Sequence, residues 1–296
     1  MMQEVRAPVF SVAIGKDLEL VYGADECTDP EPYPSSALQK GLILRSREAG
    51  DLTQEGVGFG VPVLKTGISS VFPGRARVAS ADQERGLLSV EYEMCLVDRL
   101  VRPGSGRVIG GLVDSAKEIA AAVHRRIPLF RALLSGFSRT VRAAAGLTTS
   151  FVLCRSAGVV RVDYEASCAG SATAVSVLVD ASSVDVQGLT RIAVMNELGA
   201  DHFSRFVDSD GNLFDGESIG TWNRVDAARA TFIDRVHDIA FSVRACGSAG
   251  LFRGRERVAD RLAWAGFGYL LPAGARSFSY EVHITPSGAH QWRESF

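Results

Sequence analysis

The sequence predicts a mainly β protein, a large antiparallel sandwich with one inserted helical hairpin. Three observations carry this expectation. Apolar and polar residues alternate with period two through most of the chain, and the short runs that result recur at about 8–12-residue spacing between turn residues. Only one stretch, about 112–145, changes to helical period. No regular alternation of strands and helices appears, so a parallel sheet has no support.

The 296 residues are 46% apolar and 22% charged, with a formal net charge of -2. This is ordinary globular composition, enough for one large β domain or two smaller ones, and the expectation is a single domain over residues 1–296. Charge so close to balance gives no general attraction to nucleic acid or to an anionic membrane. No run approaches the roughly 20 apolar residues of a membrane span, and the first twenty residues lack the apolar core of a signal peptide. A cytoplasmic protein is the expectation. Five cysteines (27, 95, 154, 168 and 246) are scattered without a CxxC pair. They read as free thiols rather than disulfides or a zinc site.

Residues 5–22 alternate as one or two strands around a turn at Gly15-Lys16-Asp17. Next comes the polar stretch 23–41, in which Pro30, Pro32 and Pro34 fix φ and remove donors. It carries Asp25, Glu26, Asp29, Glu31 and Tyr33. Acidic groups this dense repel one another unless they face water, a cation or an arginine. The segment is therefore a solvated loop or one wall of a polar site. Leu42–Leu44 is a strand, and 56–79 a hairpin turning near Lys65-Thr66-Gly67. Its glycines at 56, 58 and 60 do not form GxGxxG and no helix follows, which excludes a nucleotide loop. In 87–97, Val90, Tyr92, Met94 and Leu96 share one face, with Ser89, Glu91, Glu93 and Cys95 on the other.

Over about 112–145, Leu112, Ala116, Ile119, Val123 and Ile127 fall at helical spacing, Pro128 interrupts, and Phe130, Leu133, Leu134, Phe137 and Val141 resume it. Its arginines (125, 126, 131, 139 and 142) read as a solvated face. Strands then fit 149–155, 158–166, 172–180, 189–197, 202–207, 219–225, 230–235, 238–244, 261–271 and 276–284. The last alternates Phe278, Tyr280, Val282 and Ile284 against Ser277, Ser279, Glu281 and His283.

Candidate chemistry is sparse. Asp208, Asp210, Asn212, Asp215 and Glu217 depart from the EF-hand pattern and suit a hairpin turn better than a calcium loop. RGRER (253–257), placed before a Trp-bearing strand, brings Arg253, Arg255 and Glu256 together as a structural ion-pair network or an anion site. Trp222, Trp264, Phe267, Tyr269 and Tyr280 suit a sandwich core or sugar stacking. The five histidines have no HxH or HExxH spacing, so no metal is expected. No GxSxG is present, and 34 acidic residues offer too many pairs to nominate one for glycoside cleavage.

The strand ending in Asn196-Glu197, the hairpin FSRFVDSDGN (203–212), the isolated TWNRV (221–225) and the closing WAGFGYLLPAGARSFSYEVHI (264–284) together resemble the β-supersandwich of galactose-mutarotase-like domains. Such domains occur in aldose epimerases, polysaccharide lyases and several glycoside hydrolases. The resemblance covers about half the chain. It implies two stacked antiparallel sheets and a saccharide ligand. The family's catalytic set of histidines plus a glutamate is not reproduced around His237, His283 and Glu281. The expected ligand-binding residues are Glu26, Asp29, Glu31, Tyr33, Trp222, Arg253, Arg255, Glu256 and His283, with no cofactor, metal, nucleic acid or membrane. A glycan hydrolase or lyase using carboxylate, arginine and tyrosine is the alternative, and a structural assembly subunit a third.

Overall fold

The structure, a computed structural model, describes residues 9–14, 17–23, 39–53, 56–66, 69–101, 148–169, 172–247, 249–258, 261–272 and 274–286. These form nineteen strands and one short 3-10 turn, with every strand pairing antiparallel. Among the described residues there is no α-helix, and no helix long and apolar enough to cross a membrane. The expected helical pair at 112–145 lies outside the described residues, as do Glu26, Asp29, Glu31 and Tyr33.

A small sheet comes first: β1 (Phe10–Ile14), β2 (Leu18–Tyr22), β3 (Ile43–Ser46) and β4 (Gly50–Asp51), in that order. The large sheet contains β5 (Gly58–Thr66), β6 (Ser69–Asp82), β7 (Leu87–Val101), β8 (Thr148–Leu153), β9 (Val159–Ala169), β10 (Ala172–Asp180), β11 (Leu189–Gly199), β12 (Phe203–Asp208), β13 (Leu213–Asp215), β14 (Asn223–Val225), β15 (Arg229–Asp234), β16 (Ile239–Arg244), β17 (Gly250–Val258), β18 (Arg261–Pro272) and β19 (Ser277–Pro286). Its spatial order is β13-β12-β15-β16-β19-β10-β9-β7-β6-β5-β11-β18-β17-β14, with β8 beside β7.

A sheet this long has one apolar face to remove from water, and it does so by doubling over. Phe241 on β16 stacks on Phe59 of β5 at 4.7 Å and on Phe267 of β18 at 6.0 Å. Phe206 on β12 and Phe232 on β15 reach the same Phe267 at 6.2 and 4.8 Å. Each such ring, fully buried, is worth about 1.5–3 kcal/mol of transfer free energy. The expected alternations match the burial over Val160, Val162 and Tyr164 and over Phe278, Tyr280, Val282 and Ile284. On β7, Val90, Tyr92 and Met94 join the main core, but irregular pairing with β6 puts Leu96 in a separate cluster with Phe151, and Ser89 and Cys95 are buried too.

Polar pins cross the same interior. The Tyr280 hydroxyl donates to Asn196 Oδ1 at 2.6 Å, and the Gly60 N–H donates to the same oxygen at 3.2 Å. The Tyr164 hydroxyl donates to the Phe59 carbonyl at 2.9 Å. Burial pushes both phenols well above their ordinary pKa, so they remain neutral donors.

β5 pairs with β6 only over Leu64–Thr66, and its first residues swing away to bridge Leu42. The small sheet fills the gap this opens: Phe10, Leu20, Tyr22, Leu42 and Leu44 join the main core. Two expected boundaries shift. RGRER, expected just before a strand, lies within β17, so Arg253 and Glu256 fall on opposite faces. The stretch 219–225 contributes strand only over Asn223–Val225, because Gly216–Ile219 winds into the 3-10 turn.

Gly60 tests the close approach of the two layers. Its φ is +77°, and a Cβ there would lie 2.8 Å from the Tyr164 ring. Left-handed backbone costs a non-glycine residue about 1–2 kcal/mol, and overpacking adds about 1–3. Gly60→Ala should therefore lower unfolding free energy by about 2–5 kcal/mol in urea titration, with Gly188→Ala, where a Cβ meets nothing within 4 Å at a similar φ of +77°, losing only the backbone part.

Candidate functional site

Alternation decides which side chains meet. On β18 the odd residues Ala265, Phe267 and Tyr269 face the core, so Trp264, Gly266 and Gly268 face outward. Register places Gly254 beside Gly266 and Glu256 beside Trp264 on β17, and Glu197 beside Gly266 on β11. One outer face therefore collects Trp264, Glu256, Glu197 and a patch of glycines.

Trp222 lies on that patch. A Cβ at Gly268 would sit 2.6 Å from the Trp222 ring, and a Cβ at Gly254 would sit 3.1 Å from the Trp264 ring. The absence of side chains here is what admits the two indoles. Their centroids are 4.9 Å apart, tilted 41°. Trp222 has φ +52°, an outlier for a bulky residue. It is held there by its neighbours: the Arg255 N–H donates to the Gly220 carbonyl at 2.9 Å, and the Thr221 hydroxyl donates to the Arg255 carbonyl at 3.2 Å.

The Trp264 indole N–H donates to Glu256 Oε2 at 3.1 Å. Glu256 is exposed at the rim as a residue, yet desolvation of its carboxyl raises its pKa, opposed by the indole hydrogen bond. Glu197 is buried at the inner end of the same face and accepts the Val57 N–H at 3.1 Å. Desolvation pushes its pKa up to about 7; the Val57 hydrogen bond opposes this, and the Glu256 charge adds to it. The carboxylates thus share one electrostatic environment, one exposed and one buried.

The other expected residues go elsewhere. Arg253 points inward, stacked over Phe214 at 4.0 Å and Phe206 at 4.8 Å. Desolvation lowers its pKa, partly offset by Asp208. Arg255 also leaves the outer face, and its guanidinium donates to the Ala200 carbonyl at 3.2 Å. His283 lies on the outer face of β19, beside Ala174 and Ser242, on the opposite side of the doubled sheet. Of the nominated residues, Trp222 and Glu256 come together here. Trp264 and Glu197 are the additions. A polar Asn196-Glu197 pair ending an apolar strand is a sequence signal for the latter; nothing local shows that it would lie two strands from Glu256 on the same face.

The segment 208–217 is a hairpin turn, as its sequence suggests. Asp208 Oδ1 accepts the N–H groups of Asp210 and Asn212 at 3.1 and 3.0 Å. Arg205 grips Asp215 through two bonds of 2.8 and 2.9 Å, holding that carboxyl below its usual range.

A different group has metal-ligand chemistry. His202, Asp234 and His237 place one donor atom each within 4.8 Å of one another.

With this architecture and site, the described residues are mainly β and pair only antiparallel, and they carry an aromatic and carboxylate face. No family model matches it, and no curated protein does. Among solved structures it is similar to the Slr1438 protein from Synechocystis sp. PCC 6803, at 8% identity and TM-score 0.37, covering 97% of this chain and 100% of that one. It is also similar to HI1317, at 7% identity and TM-score 0.29, covering 91% and 92%. Likenesses this weak carry no statement about fold or function.

Glu197 yields a pH prediction. Its folded pKa of about 7 stands above the ordinary 4.5, so the folded protein holds this proton more tightly than the unfolded chain. The associated stability is present below pH 4.5 and is lost as pH rises through 7. The loss is of order 3 kcal/mol. Glu197→Gln keeps an acceptor for Val57 and should flatten this part of the curve of unfolding free energy against pH. An unchanged slope would remove Glu197 as its source.

Proposed function

We propose that the outer face of β11, β18 and β17 binds saccharide, as a carbohydrate-binding or carbohydrate-processing-associated surface on a galactose-mutarotase-like supersandwich. The Trp222–Trp264 pair on its glycine floor, with Glu256 at its edge, carries this reading. Pyranose rings offer apolar C–H faces that stack on indole, while their hydroxyls need acceptors and donors around the rim. Glu256 supplies the acceptor. Exposed Arg224, in register with Phe252, supplies a donor on the same face. The left-handed Trp222 backbone supports the reading further, since local strain of this kind concentrates at binding sites.

A glycan hydrolase or lyase is favoured by one observation, the raised pKa values of two neighbouring carboxylates. In that reading Glu197, near neutrality, is the proton donor and Glu256 the base. The tyrosine role in such a constellation is not filled here by Tyr92, Tyr164, Tyr269 or Tyr280, all of which are buried in the core.

A glycan array, read beside thermal shift with mono- and oligosaccharides, tests the proposal. Binding should quench or shift tryptophan emission. Trp222→Ala should weaken it by about tenfold or more, the loss expected from about 1.4 kcal/mol of stacking. Melting unchanged by every sugar, with an empty array, would overturn saccharide binding. Reducing-end release abolished by Glu256→Gln would move the assignment to the hydrolase.

A further inference from the structure

We propose that His202, Asp234 and His237 form a binding site for a divalent first-row transition cation, zinc or a close analogue. One of the three residues ends a strand and the other two lie in turns flanking neighbouring strands. His202 immediately precedes β12, whose first residue, Phe203, is the register partner of Asp234 at the end of β15. His237 lies three residues on, in the turn to β16. Antiparallel pairing therefore brings together groups that are 35 positions apart in sequence, which is why no HxH or HExxH spacing betrays them.

The donor set suits such a cation. Two imidazoles and one carboxylate are the nitrogen and oxygen ligands of zinc, iron(II) and cobalt(II) sites, and they leave coordination positions open for water. Asp234 is fully buried, while the His202 and His237 side chains keep 15% and 21% of their surface exposed. A cation thus has an entry route from solvent and an anionic anchor beneath it. That anchor is oriented: Asp234 Oδ1 accepts the N–H groups of Val236 and His237 at 2.9 and 3.2 Å. Its other oxygen faces His237 Nδ1 at 2.6 Å and His202 Nδ1 at 3.7 Å.

Metal–donor bonds of about 2.0–2.1 Å place tetrahedral ligand atoms ~3.4 Å apart. The observed separations bracket that value, so small side-chain rotations would close the shell. The rings sit 5.3 Å apart at an interplanar angle of 56°. They meet at an angle rather than stacking face to face, which leaves their nitrogen edges able to converge on Asp234. The Asp234–His237 hydrogen bond gives the 2.6 Å contact, and a second imidazole nitrogen, from His202, lies 3.7 Å from the same oxygen.

The test uses untagged full-length protein and isothermal titration with Zn²⁺, followed by the visible spectrum after Co²⁺ addition. The expected result is one Zn²⁺ per chain. The cobalt spectrum should have ligand-field bands of a low-coordinate nitrogen–oxygen site and no thiolate-to-metal charge transfer. His202→Asn and His237→Asn should each weaken binding by about tenfold or more; even ligand-supporting residues commonly cost 10–100-fold. Circular dichroism and urea titration check that each variant folds. His202→Asn keeps the test decisive if the His237 variant does not fold, because His202 makes no hydrogen bond to Asp234 at 3.7 Å. Absence of stoichiometric binding, equal binding in folded His202→Asn, or a thiolate signature in the cobalt spectrum would each overturn the site.

Discussion

A single continuous sheet that must cover its own apolar face governs this molecule. The doubling brings β16 and β19 over β5, β11 and β18, and the contact between them is a mixed layer of rings and hydrogen bonds. Phe59, Phe241 and Phe267 supply transfer free energy without direction. The Tyr280–Asn196 and Tyr164–Phe59 hydrogen bonds supply direction, because a buried donor displaced by one residue loses its partner and incurs the desolvation cost. Together they set how the layers align, and every feature on the outer faces inherits that alignment.

Close approach of the layers is possible where β5 carries glycine. Gly60 leaves room for the Tyr164 ring, and Asn196 reaches across to its N–H. The same strand breaks its ladder with β6 early and bends toward Leu42, so the small sheet becomes part of the main core. A local backbone property thus links packing of the large sheet to attachment of the small one.

Strict period two also partitions the charged residues of β17. Arg253 belongs to the interior and is stabilised by two phenylalanine faces, whereas Glu256 belongs to the outer surface and meets an indole N–H. The two tryptophans, Glu256 and Glu197 then form one surface with graded polarity. His202, Asp234 and His237 make a separate group whose assembly depends on a different strand pair. A saccharide surface and a cation site are independent readings, each resting on its own geometry.

What the chain's own residues determined was the strand rhythm. Alternation along 158–166 and 276–284 is a local property, and burial follows it residue by residue, whereas along 87–97 Ser89 and Cys95 are buried as well and Leu96 joins a separate cluster with Phe151. Turn chemistry at Asp208–Asn212 was legible for the same reason, since Asp208 binds N–H groups within four positions of itself. RGRER was left out of the expected strands because dense charge masks alternation when both faces carry polar groups. The partnerships of Trp222 with Trp264, Glu197 with Glu256, and His202 with Asp234 came only from the tertiary structure. Each depends on which strands become neighbours and in which register, and that is decided by long-range burial rather than by any spacing along the chain.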